Sequence, residues 1–301
     1  MRDVNRKILF YRIDPGQDAD GNLLPFDPTP VITHIDSLPG GPTRRLMRAD
    51  GNASYCWVHR RTQPQRLRIA TVRRFGLPSV ERGGTLSPLT LETDAGLADM
   101  THVVFFSGNI AGADLNFYGP RLNRLEEYFA VKAKDVCPPL SFETLLNPDV
   151  ARQLNSFREL RLLDLRVRRS DTEVLERKHR SLFETFRAMK QLGTAQELGL
   201  ILKPEKHKRD DIGDDTLALA KDIANDDVSR NCATRFVVKG VDSEGNVTEV
   251  DILKDQLLAR KRVLRLDNQY RTIIPDTAFD AIEQAYDDLQ DEIERAAGIR
   301  L

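Results

Sequence analysis

About the first 135 residues consist of short β-rich runs, each ending at a turn signal. The run Lys7–Ile13 ends at Asp14-Pro15-Gly16, and the runs Tyr55–Arg60 and Arg66–Arg73 flank the turn at Thr62–Gln65. Runs of this length, separated by Gly, Pro, Asn and Asp, are typical of strands joined by hairpins. The sequence therefore predicts a β-rich N-terminal half.

The texture of the chain changes at Cys137-Pro138-Pro139. Before this point, Val31–Leu38 is predicted as a second strand, and Arg121–Lys134 is predicted as a single helix capping the strands. Beyond it, helical and extended patterns are mixed. We therefore expect an α+β protein with a β-rich domain at 1–137 and a mixed α/β domain at 138–301.

The second half ends in a predicted amphipathic helix that opens after Pro275 and runs to about Ala297. Its apolar residues are spaced 3-4-3-4 and are flanked by acids. These apolar residues are Phe279, Ile282, Tyr286, Leu289 and Ile293. Such spacing is compatible with packing on a second copy of the chain, so a homo-oligomer through this acidic C-terminal helix is one expectation. The alternative is that the helix docks on its own domain.

The composition favours an ordinary globular protein. The chain has 301 residues, of which 40% are hydrophobic, with 45 basic and 46 acidic side chains. No apolar run approaches the roughly 20 residues that span a bilayer, and the N-terminus does not have the pattern of a signal peptide. The three cysteines, Cys56, Cys137 and Cys232, form no disulfide or zinc-ligand pattern. We expect a cytoplasmic protein without a membrane span.

The near-zero net charge conceals an uneven distribution. Residues 1–209 carry a net charge of +8, whereas residues 210–301 carry −9. The window 44–74 holds nine arginines and one acid, Asp50, and it accounts for the whole positive excess. Charge asymmetry of this kind indicates which partners a chain attracts.

This arginine window supplies the candidate functional site. Side chains alternate on a strand, so Tyr55 and Trp57 share one face. Arginines beside aromatic rings can neutralise phosphates and stack on bases. The predicted nucleic-acid-binding residues are Tyr55, Trp57, Arg60, Arg61, Arg66, Arg68, Arg73 and Arg74. In the alternative interpretation, the rings point into the core and the arginines pair with the acidic C-terminal third.

The sequence predicts no catalytic residue, no metal site and no cofactor. The five histidines are isolated from one another, and the glycine-rich loops that hold nucleotide phosphates are missing. Glu249 and Asp251, which share a strand face, are the nearest approach to the acids of a metal-dependent nuclease. A nuclease is therefore the least favoured alternative.

Two segments resemble known bacterial proteins. Thr101–Phe129 (THVVFFSGNIAGADLNFYGPRLNRLEEYF), about a tenth of the chain, is similar to a stretch in bacterial proteins, some of which are encoded near mobile elements and anti-phage genes. The predicted hairpin at 233–252, with Val250–Leu253 and a short helix after it, resembles the DNA-binding subunit of Kiwa-type defence systems. The resemblance implies a bacterial defence or mobile-element role and identifies no site residue.

Together these patterns predict a non-enzymatic nucleic-acid-binding component of a bacterial defence or regulatory complex, with DNA preferred over RNA as the ligand. The alternative from another class is a protein–protein interaction subunit or oligomeric scaffold, in which the arginines meet an acidic protein partner.

Overall fold

The computed structural model describes residues 3–20, 22–92, 94–116, 118–173, 175, 179–204, 212–253, 257–267 and 271–298. The chain separates into two units. The first comprises Met1–Phe142 and Leu258–Asp288, and the second comprises Glu143–Leu257 and Leu289–Leu301. Compared with the predicted domains 1–137 and 138–301, the first unit also contains the late segment Leu258–Asp288.

Strands and helices follow one another irregularly along the chain. The strands are β1 (Asp3–Asp14), β2 (Leu46–Met47), β3 (Ala53–Arg60), β4 (Gln65–Arg73), β5 (Ser79–Arg82), β6 (Thr85–Pro88), β7 (Leu97–Phe106), β8 (Ile110–Leu115), β9 (Ser141–Thr144), β10 (Glu159–Arg168), β11 (Glu197–Leu202), β12 (Ala233–Val241), β13 (Val247–Asp251) and β14 (Leu258–Leu264). The helices are α1 (Thr29–Ser37), α2 (Asn123–Lys132), α3 (Pro148–Ser156), α4 (Arg180–Leu192), α5 (Asp214–Asn225), α6 (Asp227–Cys232), α7 (Pro275–Asp288) and α8 (Gln290–Ala297). The predicted α+β class with a β-rich N-terminal half is confirmed.

The first unit is built on an antiparallel sheet with the strand order β14-β1-β8-β7-β4-β3-β2. The predicted hairpin of the arginine window is confirmed as β3 and β4, in which Trp57 pairs with Arg68 and Tyr55 pairs with Ala70. β4 continues the ladder into β7, where Arg68 pairs with His102. The arginine window therefore extends from β2, at one edge of the sheet, to β4, which lies next to the central strand β7.

One face of this sheet carries the main core of the first unit and is covered by α1 and α2. Leu67, Ile69 and Phe105 from the sheet pack here with Ile32 of α1 and Phe129 of α2. The prediction of a strand at Val31–Leu38 was wrong, because this segment is helix α1. A helix starts here because proline is favoured at the first helical positions and the apolar residues recur at helical spacing.

The opposite face of the sheet is covered in part by α7. Phe279 and Ile282 of this helix have no exposed surface. Gly112 of β8 makes the close approach possible, because a Cβ atom there would lie only 2.7 Å from Cγ2 of Ile282. The aromatic ring of Tyr286 stacks on that of Phe106 with 3.9 Å between the ring centroids. α7 is thus an integral layer of the first unit.

The predicted C-terminal helix is divided into two. The backbone of Leu289 leaves the helical region, and α7 ends at Asp288 before α8 begins at Gln290. Phe279 and Ile282 are buried on the sheet of their own unit, as the alternative interpretation of this helix expected. The apolar spacing is therefore explained within the chain.

The second unit contains an antiparallel sheet with the strand order β11-β10-β12-β13. Its core joins Leu163 and Phe236 of the sheet with Phe186 of α4 and Ile223 of α5. The predicted late hairpin is confirmed as β12 and β13. The short helix expected after Leu253 falls outside the described residues.

Within the described ranges, no helix has both the length and the apolar character needed to cross a membrane.

Candidate nucleic-acid interface

The alternation of side chains along β3 sends Tyr55 and Trp57 away from the main core. Cys56 is fully buried in that core, together with Leu67 of β4. Successive side chains of a strand point to opposite faces. Tyr55, Trp57 and Arg68 therefore lie together on the face that also carries α7.

Tyr55 and Trp57 form a parallel stacked pair. Their ring centroids are 5.6 Å apart and their planes differ by 13°. Both residues are partly exposed, and the Nε of Arg45 donates a 2.6 Å hydrogen bond to the Tyr55 hydroxyl. The two rings are thus held against each other and remain partly exposed to solvent.

Arg68 lies directly across the ladder from Trp57 and forms no ion pair within 4 Å in the described part of the chain. Its Nε is buried and donates no hydrogen bond, and no described residue accepts a hydrogen bond from its guanidinium group. Burial lowers the pKa of Arg68, and the charge of Asp276 opposes this only in part. Tyr55, Trp57 and Arg68 are hereafter called the stacking platform.

Arg66, two residues earlier on the same face, is in the opposite situation. Its Nε and Nη2 donate to the two carboxylate oxygens of Glu283 at 2.8 and 2.9 Å, and Nη2 also donates to Asp280 at 2.9 Å. The Glu283 hydrogen bonds raise the pKa of Arg66 despite its burial. Arg60 donates to the same Glu283 carboxylate at 2.5 Å. Both arginines are neutralised by α7.

The other predicted arginines also have acidic partners and do not join the platform. Arg61 forms an ion pair with Asp36 of α1. Arg73 lies 3.3 Å from Asp99, and Arg74 lies 3.2 Å from Asp94. The eight predicted residues therefore do not form one surface: the structure brings Tyr55, Trp57 and Arg68 together and engages the other five in ion pairs.

The sequence reasoning left His102 and Asp114 out of the site. The backbone N–H of His102 donates to Asp114 Oδ1 at 2.6 Å, and His102 Nδ1 lies 3.3 Å from the same oxygen. Burial alone would raise the pKa of Asp114, but the charge and hydrogen bonds of His102 and the charge of Arg6 outweigh it and lower the pKa. His102 begins the run His102–Phe106, which predicts a buried strand but does not identify a polar partner for the histidine.

The acids proposed for a nuclease, Glu249 and Asp251, lie on β13 of the second unit. Their charges help to raise the pKa of Arg235, whose largest contribution is its hydrogen bond to Asp164. In the part of the chain that the structure describes, no group of three or more His, Cys, Asp or Glu side chains is arranged to hold a metal ion.

The chain matches no protein-family model, and no curated protein matches it.

Proposed function

We propose that the chain is a non-enzymatic, cytoplasmic nucleic-acid-binding component of a bacterial defence or regulatory complex, and that it binds unpaired bases of DNA in preference to RNA. The stacked pair Tyr55 and Trp57 beside the unpartnered Arg68 is the observation that carries this proposal. The defence setting rests on the resemblance of Thr101–Phe129 and of the hairpin β12–β13.

The chemistry of the platform suits a single strand. Base–aromatic stacking contributes about 1–3 kcal/mol per base and tolerates any base, because each base has a π-face. A guanidinium group that has no carboxylate partner can bind a phosphate oxygen without first giving up another interaction. Arg60 and Arg66 would have to leave Glu283 to do the same, so we assign the first phosphate contact to Arg68.

The experiment uses the intrinsic fluorescence of Trp57, which is the only tryptophan in the chain. Single-stranded DNA, duplex DNA and RNA of one sequence are titrated into the full-length protein across a salt series. A base stacking on Trp57 should quench its fluorescence, most strongly with single-stranded DNA. Binding that leaves the fluorescence unchanged would place the nucleic acid on another surface.

Three variants sharpen this test when binding is followed by the anisotropy of a labelled oligonucleotide. Trp57→Leu should weaken binding about 10- to 100-fold, as expected from the loss of one stacked base. Arg68→Gln should reduce the salt slope by about one phosphate contact. The control Arg82→Gln removes the same charge from the exposed strand β5 and should change neither quantity. Equal effects of Arg68→Gln and Arg82→Gln would contradict the assignment.

An interaction subunit is the second candidate, and the hairpin β5–β6 favours it. All eight strand residues of this hairpin are exposed, and its Leu86 is 71% exposed. Exposed large apolar side chains mark protein-binding surfaces when they cluster. This function would be favoured if the chain formed a complex with a protein, if Leu86→Ser abolished that complex, and if the chain did not bind nucleic acid.

The nuclease alternative is tested in the same titrations by adding magnesium. Cleavage of the oligonucleotide that requires the metal and disappears in Asp251→Ala would replace the non-enzymatic proposal. An intact oligonucleotide after prolonged incubation with magnesium agrees with binding alone.

A further inference from the structure

A small cavity lies beside the stacking platform in the first unit. It has a volume of about 50 Å³, and its lining includes the charged or titratable residues Arg6, Asp99, His102 and Arg271, together with Thr272 and Ile273. A single water occupies roughly 10–15 Å³ of volume measured in this way. The cavity therefore has room for about four oxygen atoms, the number in a phosphate group.

Two guanidinium groups at the cavity keep donors available. Arg6 donates through Nη1 to the Leu115 carbonyl at 3.3 Å, but its Nε is buried and has no hydrogen-bond partner. Arg271 is exposed, and its guanidinium carbon lies 4.2 Å from the centroid of the Tyr118 ring. No acidic side chain among the described residues forms an ion pair with Arg271. Positive charge therefore dominates this side of the cavity.

His102 supplies a third polar group. Its Nδ1 is turned to Asp114, whereas its Nε2 is buried and has no partner. Nε2 can therefore meet a polar group of a ligand while Nδ1 stays with Asp114. A buried polar atom without a partner is uncommon in proteins and calls for a ligand or an ordered water.

Two carboxylates lie at or next to the cavity, and each has a cation beside it. Asp99 is one of the lining residues and lies 3.3 Å from Arg73. Asp114 Oδ1 accepts from the backbone N–H of His102, and its buried Oδ2, which has no hydrogen-bond partner, lies 4.0 Å from the Nε of Arg6. Arg271 and the Nε2 of His102 are therefore the groups left to meet an anion.

The cavity is also in register with the stacking platform. Trp57 pairs with Arg68, and Arg68 pairs with His102, so the three side chains form one row across three neighbouring strands. Strands are spaced by about 4.8 Å, which separates the backbone of Trp57 from that of His102 by roughly 10 Å. A strand whose base stacks on Trp57 would pass Arg68 before it reaches the cavity.

We propose that this cavity, bounded by Arg6, His102 and Arg271, binds a phosphate group, and that the group is the terminal phosphate of a nucleic-acid strand. Phosphate binding stands on the cavity alone, whereas recognition of a strand end rests on the proposed function. The two parts are therefore tested separately.

The first experiment titrates inorganic phosphate into the full-length protein at low ionic strength, followed by isothermal titration calorimetry. We expect saturable binding at one site, weakened about tenfold or more in Arg271→Gln and unchanged in the control Arg82→Gln. Arg271 is exposed, so its replacement should leave the fold intact. The absence of saturable binding, an equal loss in both variants, or equally tight binding of acetate would each overturn the phosphate site and leave the cavity to ordered water.

The second experiment compares one single-stranded DNA sequence with a 5′-phosphate, with a 3′-phosphate and with neither. A terminal phosphate at one end should tighten binding about tenfold, and Arg271→Gln should abolish this preference without abolishing strand binding. Equal affinity for all three strands, together with binding of inorganic phosphate, would assign the cavity to free phosphate and overturn strand-end recognition. Preference for a phosphorylated end is thus separable from nucleic-acid binding itself, which Trp57→Leu reports.

Discussion

The part of the sheet face under α7 and the part beside Trp57 carry similar side chains but treat charge in opposite ways. Under the helix, Arg66 meets both oxygens of Glu283 and its pKa is raised. Two residues further along β4, Arg68 forms no ion pair in the described part of the chain, and burial lowers its pKa. The difference shows that one cluster of arginines contains both ion-paired cations and a cation without an ion pair.

What separates the two arginines is where α7 places its acids, because Glu283 and Asp280 form ion pairs with Arg66 whereas Asp276 acts on Arg68 only through its charge. α7 places Glu283 and Asp280 over Arg66, and its apolar residues fix that position by packing on the sheet. Charged groups held by a buried helix cannot move aside at low cost, because the apolar surface beneath them would be exposed. An acidic partner or a nucleic acid should therefore compete poorly for Arg66 and well for Arg68.

The largest effect is expected from Phe279→Ala, which attacks the packing that holds α7 in place. Phe279 is fully buried and contacts the rings of His59 and His102. Removing such a ring costs about 3–5 kcal/mol of unfolding free energy. Urea unfolding measures it, with Val131→Ala on the exposed side of α2 as the control. A loss as small as that of the control would mean that α7 is not held by its apolar residues.

A smaller loss is expected from Glu283→Gln, which keeps the shape of the side chain and removes its charge. Arg60 and Arg66 would then lose their common carboxylate, at a cost of about 1–2 kcal/mol for partly buried groups. Glu127→Gln, which breaks the exposed pair with Arg124, should cost less than about 0.5 kcal/mol. Equal unfolding free energies for the two variants would remove the distinction drawn for Arg66.

The dependence of stability on pH gives a third test through Asp114. Its pKa is lowered in the folded protein, so the folded state binds this proton less readily than the unfolded state. The resulting stabilisation is present above the ordinary aspartate pKa of about 4 and is lost as the pH falls through the folded value. Asp114→Asn should flatten this loss in unfolding measured from about pH 6 down to about pH 2.5. An unchanged acid slope would show that His102 does not hold the charged form of Asp114.

The smallest effect is expected from Arg68→Met, because this arginine has no partner to lose. Its unfolding free energy should stay within about 0.5 kcal/mol of the wild type or rise. Arg66→Met, in contrast, should lose about 1–2 kcal/mol, because it leaves Glu283 and Asp280 without one of their cations. Thermal denaturation of the two variants side by side measures the contrast. If both variants lose the same unfolding free energy, Arg68 contributes as much to the stability of the fold as Arg66 does.

The sequence predicted the hairpin of the site but not its charge pairing. The turn at Thr62–Gln65 and the alternation around Cys56 are local signals, and β3 and β4 follow them. Whether Arg66 or Arg68 would meet an acid depended on α7, more than 200 residues away, and no local pattern encodes such a contact. The sequence indicates the acidic C-terminal third as one partner for the arginines, but only the structure shows which arginines form ion pairs with it.

Two element predictions failed or changed for identifiable reasons. Val31–Leu38 is rich in β-branched residues, which favour strands, but Pro28 and Pro30 and the burial of Val31, Ile32 and Ile35 on one side favour α1. The helix predicted from Pro275 to Ala297 is divided at Leu289, although the apolar spacing continues across the break. The periodicity of apolar residues predicts a buried face, but it does not show whether one helix or two helices form that face.

The return of Leu258–Asp288 to the first unit has a consequence for how the protein is made. The ribosome must synthesise the intervening segment Glu143–Leu257 before β14 can pair with β1. At about 5–20 residues per second, this takes on the order of ten seconds. During that interval the edge of β1 and the sheet face beneath Phe279 are uncovered, and Arg60 and Arg66 have no counter-ion. The nascent chain therefore presents more open cationic surface than the finished protein, and a fragment that stops before residue 258 keeps that state permanently.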